Sequence, residues 1–590
     1  MQINKFLADN LKFLTEAKAP VAIWLSAQNP DPDLVFDRLG VNGAGHLDWR
    51  MDNGQGLFEK VPPGLYYKDW RPTDHAEGGT TIIIGTAIGY GLNHVLSGTP
   101  NSHKVLVVEL RPEMLLACLG QTDYRPFLAH GKLKFLPPDM AVIEKHIQSL
   151  DVSFLFSRIH LRSDLPSKQL GPEYANAAAH IKAKLESFAV EVSTLRQKQE
   201  VMVGNELHNY ARAMDEGSLV RVKGMAAGLT AVILGAGPSL EQFAPKLREM
   251  RDEAFFVTSM QALPALEKLQ ITPDLCLAID YQGFLTASID NIKDPSYIAD
   301  IPFIYSTKMD PNVVNKYPGP KIPLWTQGGI GTFILKEQEL VLDAGGNVGV
   351  TLERFLTWAG AERFVLVGQD FAWKGTRTHA IGHHNSGYEH TFRPQEDVRL
   401  KNLDGEEIFT NLAFLAAKRD MEKDIATGQA TFYNCYGGGA VIEGAINLRE
   451  DELGKEDILT SRGAAKQVFL DALARAATPR VRPIFSPKAA EWNTSLKNAS
   501  RRLEKLTRKA PKHQGEIREL LSQIQFFIRR DPVYMPYLYN EIMDMGGLIH
   551  ARAYYGNKEL SDFKEIRKRV QTKIKEIDEV LAPSRSWAAA

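Results

Sequence analysis

The chain has 590 residues, 44% of them hydrophobic and 24% charged. It is therefore several times the commonest domain size, and its composition is that of a chain that buries cores, not of a disordered one. Seventy Lys and Arg against seventy-one Asp and Glu leave a formal charge of -1, so no whole-molecule field draws it to nucleic acid or to an anionic membrane. Three widely separated cysteines, Cys118, Cys276 and Cys435, fit neither a disulfide scaffold nor a structural zinc site and point to a reducing cytoplasm.

The first residues, MQINKFLADNLKFLTEAK, are charged and amphipathic without the apolar run of a secretory signal. No window reaches the roughly 18 apolar residues of a membrane span. Neither export by the general secretory route nor membrane insertion is expected. From Pro20 to about Leu165 short apolar runs alternate with turns and helical text, the rhythm of an α/β domain. Its clearest strands are Thr80–Ile84 and Lys104–Val108, with Gly85, Gly89 and Gly91 between them. Glu109 follows Gly85 by 24 positions, where a nucleotide fingerprint would place a ribose-binding carboxylate. The turn is read either as structural or as a nucleotide-like pocket using Gly85, Gly89 and Glu109.

Residues from about Asn176 to Asp215 have no proline and few β-branched residues, which predicts one or two helices and a domain boundary. A second α/β series opens at Ala231–Leu234 and continues with Ala254–Thr258, Leu275–Ile279, Phe303–Ser306 and Phe364–Val367. Five such strands with helices between them predict a parallel sheet covered on both faces. Beyond about Asn447 the text is helical. Trp492, Leu496, Ala499, Leu503 and Leu506 form one apolar stripe, and Phe563, Ile566, Val570, Ile574, Ile577 and Leu581 form another. Residues 491–590 carry nineteen Lys or Arg against thirteen Asp or Glu, either a solvated helical surface or a face for an acidic partner. The division expected is 1–205, an N-terminal α/β domain with linker helices; 206–455, a central catalytic domain; and 456–590, a helical C-terminal domain.

The chemistry concentrates in the central series. Ala231–Leu234 runs into Gly235-Ala236-Gly237-Pro238-Ser239-Leu240, a turn that can offer backbone N–H groups and a helix N-terminus to a phosphate. It lacks the Lys of a P-loop, and a packing-only turn is the alternative. Later strands end at Asp280, with Gln282 just beyond it, and at Gly368-Gln369-Asp370. In an open parallel sheet these lie at the ligand crevice, where carboxylates bind ribose, orient a base or hold Mg2+. Either aspartate could instead cap the helix that follows. Gln327 and Asn347, in the glycine-rich WTQGGIGTFILKEQELVLDAGGNVGVT, offer neutral hydrogen-bonding groups. His379, His383 and His384 offer bases that work near neutral pH. The absence of a His-Glu-x-x-His arrangement argues against zinc there. Tyr433, Asn434 and Tyr436 precede Gly437-Gly438-Gly439-Ala440 and either reach the ligand or pack the domain edge.

Gly235 to Leu240, Pro273-Asp274 with Asp280, Gly345 to Val348, Gly368 to Asp370, His379 and Asn434 to Ala440 together resemble the motility-associated factor (Maf) proteins, which are related to an archaeal hydroxymethylpterin pyrophosphokinase. The resemblance implies a central Rossmann-like domain similar to bacterial sialyltransferases, preceded by a smaller α/β domain and followed by a helical one. It implies a cytoplasmic, inverting glycosyltransferase that moves a nonulosonic acid, pseudaminic or legionaminic in type, from a CMP-activated donor to Ser or Thr of flagellin before export. Carried onto this chain, Gly235, Gly237, Pro238 and Ser239 surround the CMP phosphate. Asp280, Gln282 and Asn347 are ribose, base or sugar ligands, and Gln327, Gln369, Tyr433, Asn434 and Tyr436 are further candidates around the donor. His379 or Asp370 is the base, with His383 a further catalytic candidate. No tightly bound cofactor is expected, and a divalent cation is left open. Flagellin and the nucleotide-sugar are the expected partners. The competing readings are an ATP-dependent pterin pyrophosphokinase and a non-catalytic flagellin chaperone.

Overall fold

The structure is a computed structural model. It describes residues 4–74, 76–329, 331, 335, 339–454, 458, 463–479, 518–519, 521–523, 525–526, 537–550 and 557–581. The chain partitions into two compact units. The first comprises Met1–Arg196, Leu506–Ile528 and Asn540–Arg569; the second comprises Gln197–Lys505, Arg529–Tyr539 and Val570–Ala590. The segment 456–590, expected as a third domain, is thus divided between the two. The first boundary falls inside a single helix, Glu173–Asp215.

In the first unit a small antiparallel pair, β1 (Leu39–Val41) and β2 (Leu47–Trp49), precedes the main sheet. That sheet contains β3 (Thr80–Ile84), β4 (Lys104–Val108), β5 (Leu133–Leu136) and β6 (Ile159–Ser163), all parallel, in the order β5-β4-β3-β6. The β-branched runs of β3 and β4 bury both faces, as a helix-covered parallel sheet requires. Ile83, Val105 and Val107 pack on one side with Leu92, Val95 and the helix Pro112–Gln121, while Ile82, Ile84 and Val108 pack on the other with Tyr174, Ile181 and Phe188.

Among the described residues, the main sheet of the second unit has nine strands, not five. They are β7 (Thr230–Leu234), β8 (Phe255–Ser259), β9 (Leu275–Ala278), β10 (Phe303–Ser306), β11 (Lys321–Thr326), β12 (Val341–Leu342), β13 (Arg363–Val367), β16 (Thr431–Cys435) and β17 (Ile446–Leu448). Their spatial order is β12-β11-β10-β9-β8-β7-β13-β16-β17, and every pairing is parallel. A separate hairpin, β14 (Asp397–Lys401) and β15 (Glu407–Asn411), stands outside the sheet. The fold is therefore α/β and Rossmann-like, with a smaller α/β unit ahead of it. The stripe Trp492 to Leu506 lies outside the described residues. Of the second stripe, Phe563, Ile566, Val570 and Ile577 are buried along the helix Asn557–Leu581.

Candidate functional site

Strand order places the site. In the nine-stranded sheet β7 to β12 run outward to one side and β13, β16 and β17 to the other, so the order reverses between β7 and β13. The loops leaving their carboxyl ends diverge and open a crevice, the usual ligand position in doubly wound sheets. Leu234 pairs with Val367 at that edge, so the crevice begins at Gly235 and Gly368.

These two loops lock together. Gly235 N–H donates to Val367 O at 2.7 Å and Gly237 N–H to Gly368 O at 2.9 Å. A Cβ at Gly235 would lie 2.3 Å from Gly368 O, and one at Gly237 would lie 2.3 Å from Asp370 Oδ2. The glycines are thus required by loop-to-loop packing as well as by any ligand. Asp370 Oδ2 accepts from Ser239 N–H at 3.0 Å, at the start of the helix Ser239–Glu249. It caps a helix, but the one after β7 and not the one after its own strand. Burial pushes the Asp370 carboxyl above its ordinary value, and the donors on Ser239 pull it back. Ser239 Oγ is buried there without a bond of hydrogen-bonding geometry. Phe371 sits at φ 46°, a left-handed conformation that costs a non-glycine residue about 1–3 kcal/mol. Thr410 Oγ1, donating to Phe371 O at 2.7 Å, and Ala440 N–H, donating to Asp370 O at 2.8 Å, hold it.

A cavity of about 130 Å3 opens between these loops. Of the residues singled out in the sequence, Gly235, Gly237, Asn347, Gln369, Asp370, His379 and His383 line it. Gln369 is sandwiched between backbones: a Cβ on Gly235 or Gly349 would fall 2.8 or 2.7 Å from its amide. Asn347 caps the helix Val348–Trp358, its Oδ1 accepting from Gly349 N–H at 2.7 Å. The lining also includes Ser259, Gln261, Thr378 and Phe414, which the sequence reading missed. Ser259 ends the strand adjacent to β7, and that position was the available signal.

The histidines form one stack. The rings of His379 and His383 are 4.0 Å apart and 4° from parallel, and His384 lies 4.2 Å beyond His383. Phe284 continues the row, 6.0 Å from His384. Burial first, then the neighbouring imidazoles, hold His379 down to about 4 and His383 to about 2. All three are therefore neutral near pH 7. Asn385 N–H donates to His383 Nδ1 at 3.1 Å, which puts the proton of that neutral ring on Nε2. His379 Nδ1 bonds Thr378 Oγ1 at 2.8 Å, leaving Nε2 available.

The other predicted residues lie outside the cavity lining. Pro238 is the residue before the helix Ser239–Glu249. Asp280 follows β9 and accepts from Gln282 N–H at 3.1 Å, while Gln282 Nε2 donates to Tyr281 Oη. Gln327 is tied at its backbone, its N–H to Leu342 O and its carbonyl to Lys308 Nζ. Asn434 donates to Asn447 Oδ1 at 3.0 Å. Tyr433 packs in the cluster around Val365 and Cys435. Tyr436 Oη donates to Asp404 Oδ2 at 3.1 Å and accepts from Leu403 N–H, so it secures the β14–β15 turn. The neighbouring glycines do touch the site: a Cβ on Gly437 would strike Ser239 Cβ at 2.4 Å, and one on Gly439 would strike Asp370 O at 2.7 Å.

The first unit has a comparable reversal of strand order between β3 and β6, and its own side chains bond the turn there. Ala87 N–H donates to Ser167 Oγ at 3.0 Å and Thr86 N–H to Glu109 Oε2 at 2.6 Å. Glu109 also accepts from Tyr174 Oη at 2.5 Å, and Asp164 accepts from Tyr67 Oη and Ser167 N–H, both at 2.7 Å. The Gly85 to Gly91 turn is therefore structural.

Residues 204–376 match the model of the family described as MptE-like, 6-hydroxymethylpterin diphosphokinase MptE-like. That stretch contains the turn after β7 and Asp370, and it ends before the histidines. No curated protein matches the chain. The chain shares its fold with a solved Maf glycosyltransferase from Magnetospirillum magneticum AMB-1, at TM-score 0.64 and 16% identity, over 98% of this chain and 96% of that one. The resemblance read from the sequence is met in both comparisons. Among the described residues no helix is long and apolar enough to cross a membrane.

Proposed function

We propose that the chain is a glycosyltransferase that moves a nonulosonic acid from a CMP-activated donor to Ser or Thr hydroxyls of flagellin in the cytoplasm. The observation that carries this reading is the stack of neutral imidazoles beside the β7–β13 crevice, in a chain with the fold of a Maf glycosyltransferase along nearly its whole length. Transfer to a hydroxyl needs a group that takes a proton as the new bond forms, and His379 Nε2 suits it. The acceptor oxygen attacks the anomeric carbon, the bond from that carbon to the CMP phosphate breaks, and the hydroxyl proton passes to His379. His383 keeps the His379 ring parallel and neutral. Asp370 holds the start of the helix after β7 beside Gly235, Gly237, Pro238 and Ser239; the N–H groups of the two glycines and of Ser239 are bonded within the protein, so the helix end acts on the departing phosphate through its dipole. The cavity is smaller than a nucleotide-sugar, so the nucleoside extends outward, toward Asp280 and Gln282. The donor's negative charge raises the pKa of His379 from about 4 toward neutrality, which strengthens it as a base once substrate is bound.

The second reading, a pterin pyrophosphokinase, draws on the family matched by residues 204–376. Its Mg2+ would need joint carboxylates. Asp280 and Asp370 follow β9 and β13, which stand three strand spacings apart in the sheet, about 14 Å, so the two do not fit a single ion. Mass spectrometry of flagellin from cells with and without the gene tests the first reading: loss of the glycan mass on deletion is expected, and an unchanged mass rejects it. Diphosphate transfer from ATP to hydroxymethylpterin by the purified protein would establish the second.

A further inference from the structure

The segment that carries His379 is held against the turn and helix after β7 at three points. Ala380 N–H donates to Ala236 O at 2.8 Å, Ile381 N–H donates to Glu241 Oε1 at 2.5 Å, and the Arg377 guanidinium pairs with the same Glu241 oxygen. Glycines in left-handed conformation, Gly375 at φ 68° and Gly382 at φ 96°, bracket the segment. Glu241 lies in the first turn of that helix, at the end where Asp370 already accepts from Ser239 N–H. Asp370 lines the cavity, and Glu241, on the first turn of the same helix, stands outside its lining. Arg377, next in sequence to the cavity-lining Thr378, brings a cation to that turn.

We propose that Arg377 is a ligand for the anionic phosphate of the nucleotide donor, and that Glu241 is its partner only while the cavity is empty. This rests on the donor reading above. The Arg377 and Glu241 side chains are 46% and 29% exposed, and an ion pair so exposed is weak and easily exchanged. A phosphate forms a stronger, two-pronged pair with a guanidinium, so the exchange runs toward the ligand. Because Arg377 and His379 share one segment, the exchange also carries the base toward the donor. The backbone bond from Ala380 N–H to Ala236 O does not depend on charge and keeps the segment attached.

Calorimetric binding of CMP and of cytidine, which lacks the phosphate, tests the assignment. Arg377→Gln is expected to weaken CMP about 10-fold or more and to leave cytidine unchanged, with Arg377→Lys intermediate. Glu241→Gln keeps an oxygen for Ile381 N–H but removes the competing charge, so it is expected to tighten CMP several-fold. A merely structural pair would make both variants bind CMP more weakly; that result, or CMP affinity unaltered by Arg377→Gln, overturns the proposal while leaving the donor reading intact. Failure of the wild-type chain to bind CMP overturns both. Melting temperatures of the variants, expected within a few degrees of wild type, separate these outcomes from loss of fold.

Discussion

The chain contains two reversals of strand order with glycine turns at their mouths, and they have opposite fates. Between β3 and β6, Ser167 and Glu109 satisfy N–H groups of the turn from within, and Asp164, bonded by Tyr67, holds Ser167 in place. Between β7 and β13 the turn also spends N–H groups on its neighbour loop, yet a cavity remains and histidines line it. A glycine turn at a topological switch point is thus the geometric opportunity for a site. Whether the following loops bring in side chains that plug the crevice or side chains that face it decides the outcome.

Substitutions on the two sides should break in different currencies. The largest effect is expected from His379→Ala: transfer should fall about 10²–10⁴-fold, with the thermal midpoint nearly unchanged, as measured by CMP release and flagellin mass. An equal rate in that variant would move the base elsewhere. Gly85→Ala should do the reverse. Its Cβ would lie 2.6 Å from Ser167 Cβ in a left-handed backbone, so about 2–4 kcal/mol of first-unit stability should be lost, while CMP affinity of the folded fraction stays as it was. Denaturant unfolding beside calorimetry reads both.

The two reversals should also respond to acid with opposite sign. Burial raises Asp164 to about 6, above its unfolded value near 4, so the native state favours the protonated form. That contribution is complete below pH 4 and lost as pH rises through 6, about 2–3 kcal/mol in all. Asp164→Asn, whose oxygen still accepts from Ser167 N–H while its amide N–H donates to Tyr67 Oη, should remove this slope. His383 is held to about 2, below its unfolded value of about 6.5. Its contribution is complete above 6.5 and lost as pH falls. His383→Asn should flatten that acid limb, and paired unfolding curves from pH 4 to 7 would show whether the two differences have the same sign. The smallest effect is expected from Phe284→Ala: its ring is 44% exposed, so stability should change by less than about 0.5 kcal/mol, and a KM change of a few-fold would place it at the mouth of the site.

Continuous β-branched runs made β3, β4, β7 and β13 legible, because buried parallel strands need little else. β11 was hidden by Pro323, which argues against an interior strand, yet it pairs with Tyr305 in β10. β16, Thr-Phe-Tyr-Asn-Cys, looked like a cluster of ligand groups because its polar side chains are paid off by contacts distant in sequence, such as Asn434 with Asn447 and, just beyond it, Tyr436 with Asp404. Asp370 was legible as a strand-end carboxylate, and helix capping was one of its readings. Its helix lies 131 positions back along the chain, a distance over which local capping rules say nothing. The stack of histidines was visible as composition only, since ring orientation depends on how the segment from Gly375 to Gly382 turns.

The register of β7 against β13 also sets an order of events. The four strands of the first sheet lie within residues 80 to 163 and can pair while the rest of the chain is still being synthesised. The crevice of the second sheet cannot exist until residues 363–367 find residues 230–234, and its supporting glycines arrive later still, with Gly437 and Gly439. Long-range parallel pairing of this kind forms slowly. A ribosome-bound chain stopped before residue 440 of 590 would therefore present a finished first sheet and no working crevice, so the protein becomes competent only late in its synthesis.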